Sequence, residues 1–484
     1  MESVIDEDTI PSYPTNSLNF LKPLQDGRHN DTKQAYGNHS TPQIGRNGHV
    51  SLASKQPPIK LNVLIVGAGL GGLATAIALS RHGHNVTILE SAPALGEVGA
   101  GIQIPPNSMR ILLEWGLGSF LEGKAVEPDG MTFRRWQDGR PIAFTRLIPD
   151  HKEKFGAPYY VVHRADFHSA MHSLAVEMGV QIKVGHHVVD YHESDPSVTL
   201  ADGRKMTADL IVAADGVKSI ARKHIPGLQN IEPQKTPFAA YRATVDVVTM
   251  RKDPDTAWLV KEGEPTLNLW IGEGRHVMTY TIASGKSFNM VLSHRDASDP
   301  GTWPTEPEEC LAQMRSYYVD WDPRLVKITK MIEKTMKWPL MTVPTSPRWL
   351  SESKRLLILG DAAHGMLPYM SQGAAMAVED GAALAEVLSF AGTASQMDAC
   401  LAVWQDVRVM RSSQMQQASA INGMIWHFGD GREQEARDES MAQEVGGGDV
   451  HESANQWTDP VTAQWAYGYD ACEEIRRRLK SHET

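Results

Sequence analysis

Cysteine is scarce in this chain, which has three cysteines among 484 residues. Cys310, Cys400 and Cys472 are far apart, and their spacing matches no metal-binding motif. Neither a disulfide framework nor a zinc site is expected, because both are recognised by cysteines at short, regular spacings. We therefore expect reduced, buried thiols and no bound metal.

An excess of positive charge is also absent, since the formal net charge is −11. No long run of lysine or arginine interrupts the acidic balance, so the chain has no electrostatic reason to bind nucleic acid or an anionic membrane surface. A small molecule is the expected partner.

Membrane-spanning and secretory signals are missing as well. Residues 61–80 are apolar, but they include four glycines in a strand-turn-helix pattern, so no transmembrane helix is expected. The first residues have neither the basic region nor the apolar core of a signal peptide, which favours a cytoplasmic location. Residues 1–58 are rich in Ser, Asn, Gly, Pro and Asp without a sustained period, which predicts a disordered extension.

The most informative segment is IKLNVLIVGAGLGGLATAIALSRHGHNVTILE at 59–90. An apolar strand leads into a turn where Gly67, Gly69 and Gly72 have GxGxxG spacing, and a helix and a second strand ending at Glu90 follow. The first glycine permits the turn, the second lets backbone N–H groups approach a pyrophosphate, and the third lets the helix pack on the strand. The phosphates would lie at the helix N-terminus. The segment predicts an adenine dinucleotide site, for NAD or FAD, with Glu90 on the ribose.

Two later segments again place an acid at the end of a buried strand. LIVAADG ends at Asp215 and Gly216, and LLILGD ends at Asp361, before a long alanine-rich helix that starts at Gly373. Ligands of α/β folds bind at such strand ends, so both acids are candidate cofactor ligands; the alternative is that they only cap helices. There is no second strand-linked GxGxxG to hold a nicotinamide.

The segment between these motifs has a different pattern. From about 236 to 344, β-branched and aromatic residues are punctuated by Gly-Glu-Gly at 272–274 and Ser-Gly-Lys at 284–286. Such turns are typical of hairpins. The predicted fold is α/β, with a Rossmann-like discontinuous domain of 59–235 and 345–430, an inserted antiparallel sheet of 236–344, and a helical or irregular tail of 431–484.

Three motifs, GAGLGGLATAIALSRHGHNVTILE, AADGVKSIAR and LLILGDAAHGMLPYMSQGAAMAVEDGAAL, together resemble the single-component FAD-dependent aromatic hydroxylases of the fungal salicylate hydroxylase-like type. The resemblance extends over roughly residues 59–430 and includes EVGAGIQIPPNSMRIL at 97–112. It implies a para-hydroxybenzoate hydroxylase-like fold in which NAD(P)H reduces FAD. It also implies that a flavin C4a-hydroperoxide, formed with O2, hydroxylates a phenolic or aromatic-acid substrate.

The resemblance also assigns cofactor residues. It implies that Glu90 holds the adenosine ribose, that Asp361 holds the ribitol, and that Pro368 lies beside the reactive edge of the flavin. Further cofactor contacts are implied for Gly101, Arg164, Asp215 and Ala374. Arg164 is equally compatible with a surface ion pair, and His364 is interpreted as a structural, hydrogen-bonded histidine.

The inserted sheet is expected to cover the flavin and to carry the substrate contacts. Arg242, in AAYRATVDV, is the candidate activating residue, because arginine binds a carboxylate bidentately or stabilises a phenolate. Strand alternation places Tyr241 on the opposite face. Some relatives have a tyrosine about 30 residues further on, where this chain has Trp270 and Ile271. Tyr280 is then the nearest candidate phenol.

Three functions remain open from the sequence. The first is a hydroxylase of a phenolic or aromatic acid, in secondary metabolism or aromatic catabolism. The second is a flavoenzyme that epoxidises or oxidises an alkaloid or another non-phenolic natural product, and the third is a binding protein that retains the dinucleotide fold without turnover. The expected partners are O2 and an aromatic small molecule, and a homodimer is an open option.

Overall fold

The structure, a computed structural model, describes residues 58–96, 100–447 and 450–482. Apart from Pro58, the predicted N-terminal extension lies outside the described residues. The strands are β1 (Asn62–Val66), β2 (Asn85–Leu89), β3 (Gly101–Ile104), β4 (Gly130–Arg135), β5 (Pro141–Arg146), β6 (Tyr160–His163), β7 (Gln181–Lys183), β8 (Val188–His192), β9 (Ser197–Leu200), β10 (Lys205–Thr207), β11 (Leu210–Ala213), β12 (Gln234–Asp246), β13 (Thr266–Gly272), β14 (Arg275–Ile282), β15 (Ser287–Arg295), β16 (Met336–Thr342) and β17 (Leu356–Ile358). The helices are α1 (Leu70–Arg81), α2 (Pro106–Glu114), α3 (Gly118–Leu121), α4 (Asp150–Phe155), α5 (Arg164–Glu177), α6 (Val247–Arg251), α7 (Pro307–Ser316), α8 (Pro323–Met331), α9 (Asp361–His364), α10 (Gly373–Leu388), α11 (Ala394–Trp426), α12 (Arg432–Val445), α13 (Pro460–Tyr467) and α14 (Ala471–His482).

A five-stranded parallel sheet has the order β17-β11-β1-β2-β7. This sheet and the helices packed on it contain the three sequence motifs and are called the cofactor half. All four residues of β11 and all three of β17 are buried, as expected for central strands covered on both faces. The carboxyl ends of β1, β11 and β17 lie side by side at one edge. The three motifs of the sequence therefore converge there.

Helices α1 and α10 cross on this sheet at close range because small residues meet at the crossing. A Cβ placed on Gly381 would lie 2.7 Å from the Thr75 Cα, and one on Gly71 would lie 3.2 Å from the Ala377 Cβ. Larger side chains at these positions would push the helices apart. The alanine- and glycine-rich composition of both segments thus sets the spacing between the two helix N-termini.

A seven-stranded sheet in the order β16-β12-β15-β14-β13-β4-β5 faces the cofactor half. It is antiparallel except where β13 runs parallel to β4. The turns at 272–274 and 284–286 fall between strands as predicted. Strands β4 and β5, from 130–146, extend this sheet beyond the predicted 236–344, because the β4–β5 hairpin covers the edge of β13 that would otherwise be unpaired.

The C-terminal segment consists largely of helices. Trp457, in the segment before α13, stacks on Trp426 at the end of α11, with ring centroids 5.4 Å apart. Helix α14 returns to the cofactor half, where Arg476 donates to Glu386 at 2.8 Å. Within the described ranges, no helix combines the length and apolarity that crossing a membrane requires. The predicted α/β fold class, with a parallel cofactor sheet and an antiparallel sheet opposite it, is confirmed.

Candidate active site

The glycine turn between β1 and α1 leaves room where a ligand would approach. Gly67 has φ +104°, and a Cβ on it would lie 2.4 Å from the Ala214 carbonyl oxygen. A Cβ on Gly72 would lie 2.0 Å from the Gly67 carbonyl oxygen, whereas one on Gly69 would meet nothing within 4 Å among the described residues. Gly67 and Gly72 are thus required for packing, and Gly69 faces the open space of the turn.

Glu90 is held at the end of β2 by backbone donors. Its carboxylate accepts hydrogen bonds from the Ala68 N–H, at 2.8 Å, and from the Ala92 N–H, also at 2.8 Å. The first of these bonds ties the acid to the glycine turn. Glu90 thus lies beside the glycine turn, and its contact with a ribose stays a prediction.

Two helix N-termini point into the same cavity. Neither α1 nor α10 has a side-chain cap or an acid in its first turn. Gly69, Leu70 and Gly71 at one N-terminus, and Gly373 and Ala374 at the other, line the cavity wall. Uncapped N–H groups and the helix dipole make both positions favourable for negative or electron-rich groups.

The cavity, of about 410 Å³, separates these N-termini from the seven-stranded sheet. The predicted site residues that line it are Gly69, Gly101, Arg164, Arg242, Tyr280, Asp361, Pro368 and Ala374. Asp361 and Pro368 are exposed to the cavity, in the segment that follows β17. The structure thus brings together candidates that are separated by up to 305 residues in the sequence, from Gly69 to Ala374.

The Asp215 side chain, like that of Glu90, is not part of the cavity lining. The cavity wall at the end of β11 is formed by Ala214 and Gly216, and the Asp215 carboxylate accepts a 3.0 Å hydrogen bond from the Tyr191 hydroxyl. Burial raises the pKa of Asp215, although hydrogen bonds from Ser219 and Tyr191 oppose the shift. The side chain therefore contacts β8 in this structure, and its cofactor role stays a prediction.

The substrate side of the cavity is a regular array on three strands. Val291 of β15 lies between Arg242 of β12 and Met278 of β14. On β14, His276 is two residues before Met278 and Tyr280 is two residues after it. Side chains two apart on a strand share a face, so Arg242, His276 and Tyr280 surround an apolar centre of Met278 and Val291. Tyr241 points to the opposite face, as predicted, where its hydroxyl donates to Gln313 at 2.5 Å.

Tyr280 joins the two halves of the site. A Cβ on Gly101 would lie 2.3 Å from its ring, so only glycine allows β3 to approach this closely. The Gly101 N–H also donates to the Asn289 side-chain oxygen at 2.7 Å, which fixes β3 against β15. Burial raises the pKa of Tyr280, and the nearby Arg242 opposes this shift without reversing it. Tyr280 is therefore a protonated hydrogen-bond donor at neutral pH.

A buried charge network under α10 was missed by the sequence analysis. Arg408 donates to Glu379 and Asp380, both at 2.8 Å, and Arg411 contacts Glu379 as well. Burial alone would raise the pKa of Asp380, but the adjacent His364 and Arg408 stabilise the ionised carboxylate and hold its pKa below the ordinary value. The signal was present in VEDGAAL, because two acids within an apolar helix need buried cations.

The network positions two segments that line the cavity, namely the turn after β17 and the N-terminus of α10. Asp380 accepts from the Gly360 N–H at 3.0 Å and pairs with His364 at 2.7 Å, which orients the turn that carries Asp361. His364 is therefore structural, as interpreted. Asn107 bridges Glu379, at 2.7 Å, and Gln372, at 2.9 Å, immediately before the N-terminus of α10.

These features fit a flavin dinucleotide. Two uncapped helix N-termini line the cavity, one acid lies near the glycine turn and a second acid lies at the end of β17, and no described side chain fills the space beside Gly69. One N-terminus suits a pyrophosphate and the other an electron-rich ring edge. The fold and site thus define a flavoprotein of the dinucleotide-binding class.

Comparison with known proteins gives the family. The model of the FAD binding domain family matches residues 60–419, and the chain belongs to this family. "FAD-dependent monooxygenase OpS4" of Beauveria bassiana (strain ARSEF 2860) is 36% identical over 414 residues, which are 85% of this chain and 95% of that protein. "3-hydroxybenzoate 6-hydroxylase 1" of Aquipseudomonas alcaligenes is 32% identical over 426 residues, 86% of this chain and 99% of that protein.

The solved structure of a salicylate hydroxylase substrate complex has a TM-score of 0.70 and 25% identity, and the match covers 88% of this chain and 98% of that one. The chain is therefore an FAD-dependent monooxygenase. The predictions of an enzyme and of FAD as its cofactor are confirmed.

Proposed function

We propose that this enzyme uses NAD(P)H and O2 to hydroxylate a phenolic or aromatic-acid substrate. The observation that carries the proposal is Arg242, which lines the cavity on the sheet face opposite the flavin-binding segments. An electron-rich ring is needed for oxygen transfer, and a phenolate supplies more electron density than a phenol, whose pKa is about 10. A fixed cation favours the ionised form.

On the cofactor side, the residues present would hold FAD by backbone groups and two acids. The turn at Gly69 would bind the pyrophosphate, Glu90 the adenosine ribose and Asp361 the ribitol. The N-terminus of α10 at Ala374 would face the ring system, beside Pro368. When bound, FAD would supply electron transfer from NAD(P)H and the activation of dioxygen. Further contacts are proposed for Arg164 and Asp215.

On the substrate side, the chain would supply orientation and exclusion of water. Arg242 would bind a carboxylate or a phenolate oxygen, and Tyr280 would donate a hydrogen bond to a second oxygen. Met278, Val291 and Leu340 present an apolar surface to the ring. Apolar walls strengthen each polar contact, because little water remains to screen it.

The proposal is tested with Arg242→Ala and Arg242→Lys in the FAD-loaded enzyme. Salicylate and 3-hydroxybenzoate serve as first probes, because relatives are named for these compounds. We expect Arg242→Ala to keep its 450 nm flavin absorbance and to lose most probe-dependent NAD(P)H oxidation and hydroxylated product. Arg251→Ala, at a surface arginine that ends α6, is the matched control.

Wild-type product formation by Arg242→Ala would remove Arg242 from the mechanism. Loss of bound FAD together with activity would show that Arg242 is structural. Product mass must be measured with NAD(P)H consumption, because the cofactor can also be oxidised without hydroxylation. The cytoplasmic location and the homodimer stay predictions.

A further inference from the structure

The outermost strand of the seven-stranded sheet, β16, carries two exposed apolar side chains beside the cavity. Trp338 is 43% exposed and Met336 is 52% exposed. Trp338 lies opposite Ala240 of β12, and Met336 lies opposite Arg242. Residues directly opposite each other on antiparallel strands point to the same face of the sheet, and Ala240 and Arg242 both line the cavity. Trp338 and Met336 therefore extend the cavity face to the edge of the sheet.

The residue between them supports this alternation. Lys337 lies opposite Tyr241, and its Nζ is 5.5 Å from the centroid of the Tyr241 ring and 3.0 Å from the Gln313 side-chain oxygen. Lys337 is thus on the face that packs on α7. Leu340, two residues beyond Trp338, lines the cavity. The cavity face of β16 is therefore apolar from its first residue to the cavity wall.

Arg242 stands between this apolar face of β16 and the part of the cavity that would hold the substrate ring. The sheet order places β12 between β16 and β15, and the Arg242 side chain is exposed. Val291 on β15 and Trp338 on β16 are two strand spacings apart, about 10 Å. A single aromatic ring packed on Val291 cannot also reach Trp338. Only a ligand with a second apolar part, beyond the oxygen that Arg242 binds, can cover both residues.

The edge of β16 is poorly suited to pairing with a strand of a second copy of the chain. Pro339 has no backbone N–H, and a proline in an edge strand interrupts the row of donors that an added strand needs. The exposed apolar pair is also continuous with Leu340 in the cavity wall. Exposed apolar surface that continues into a pocket is typical of a ligand-binding groove. A small molecule that occupies the cavity is therefore the occupant that these features favour.

We infer that Trp338 and Met336 form a binding surface for an apolar substituent of the substrate. This inference rests on the proposed function, and it narrows the substrate class to phenols or aromatic acids with an alkyl or aryl group next to the oxygen that Arg242 binds. The substituent packs on the Trp338 indole, which has a large and rigid apolar face. Trp338 is then a specificity-determining residue, because it takes no part in oxygen transfer but favours substituted rings over simple ones.

The experiment compares probes that differ in one substituent. Salicylate is a single ring, 6-pentylsalicylate has an alkyl chain next to the carboxylate, and 3-phenylsalicylate has an aryl group next to the hydroxyl. The two positions allow Arg242 to bind either oxygen group. The Kd of each probe is measured by equilibrium dialysis with FAD-loaded enzyme and without NAD(P)H. We expect the wild type to bind at least one substituted probe about 30-fold more tightly than salicylate, the usual effect of burying an apolar group of that size.

The decisive variant is Trp338→Ala. Loss of the indole should reduce the preference for the substituted probe, which is the ratio of the two Kd values, about tenfold, near the upper limit for an aromatic contact. Trp338→Phe should keep most of the preference, because an aromatic ring remains. Val319→Ala, at an exposed apolar residue away from the cavity lining, is the control and should keep the wild-type ratio.

Equal Kd values for all probes on the wild type would overturn the inference, and so would an unchanged ratio in Trp338→Ala. Proportional weakening of every probe by Trp338→Ala would make the residue structural, which also overturns it. A shift of Trp338→Ala from dimer to monomer in size-exclusion chromatography, with an unchanged ratio, would assign the edge to contacts between copies instead. Failure of every probe to bind, together with no hydroxylated product from any of them, would reject the proposed function itself.

Discussion

Glu444 is the most informative position for testing the electrostatics of this fold. It is 3% exposed, at the end of α12, and no ion pair in the described ranges includes it. Its carboxylate accepts from the Ser453 hydroxyl at 2.5 Å and from the Asn455 amide at 2.7 Å. Asn455 also donates to Thr145 on β5 at 2.9 Å. The cluster thus ties the C-terminal segment to the edge of the seven-stranded sheet.

The structure gives both the sign and the size of the expected effect. Burial raises the pKa of Glu444 from 4.5 to about 7, although its hydrogen bonds oppose the shift. Between these two values the folded state binds the proton and the unfolded state releases it, so the free energy of unfolding falls as the pH rises. At about 1.4 kcal/mol per pKa unit, the loss is about 1 kcal/mol at pH 5.5 and about 3 kcal/mol at pH 8.

The substitution Glu444→Gln removes this charge and nearly preserves the shape. Relative to wild type, the free energy of unfolding of the variant should therefore increase by about 2 kcal/mol between pH 5.5 and pH 8. Urea unfolding of the FAD-loaded enzyme at both pH values measures this difference. Glu439→Gln, at an exposed acid of the same helix, is the control and should show no such change. A pH-independent difference for Glu444→Gln would refute the argument.

Other positions give sharp outcomes. Gly72→Ala should destabilise the apoprotein by about 1–3 kcal/mol, because its Cβ would overlap a backbone oxygen. Gly69→Ala should leave apoprotein melting unchanged and weaken FAD binding in a fluorescence titration, and equal melting losses in the two variants would contradict this assignment. Tyr280→Phe should keep its FAD and raise the Kd of a hydroxybenzoate about tenfold, as expected for loss of one hydrogen bond; an unchanged Kd would exclude the hydroxyl. Arg408→Met should cost about 3–5 kcal/mol in urea unfolding, since two buried carboxylates lose a shared cation, and a loss below about 1 kcal/mol would contradict that role.

The cofactor half could be predicted from the sequence because its signals are local. The apolar strand predicted before the turn at Gly67 is β1, and the buried strand predicted before Asp215 is β11. Apolar runs that end in glycine or an acid specify both the element and its ligand-binding end within a few residues. Each motif therefore gave its position in the site without knowledge of the rest of the chain.

The extended sheet and the buried network could not be predicted in the same way. Strand β4 pairs with β13 across more than 130 residues, from Met131 to Leu267, and no local pattern indicates which distant edge a hairpin covers. Similarly, Glu379 is buried against Arg408, 29 residues further on. The acids alone showed that cations were needed, but only the crossing of α10 and α11 identifies which ones.

The division between the two walls of the cavity explains why the cofactor is easier to recognise than the substrate. The FAD wall consists mainly of backbone groups, and glycine is required wherever the chain must come close, as at Gly67 and Gly72. The substrate wall consists of single side chains on alternate positions of separate strands, such as Arg242 and His276, with no spacing rule between them. A side chain on that wall can change without altering the glycine turn, so the fold permits many substrates for one cofactor. Substitutions on the sheet face should therefore alter substrate binding while FAD remains bound.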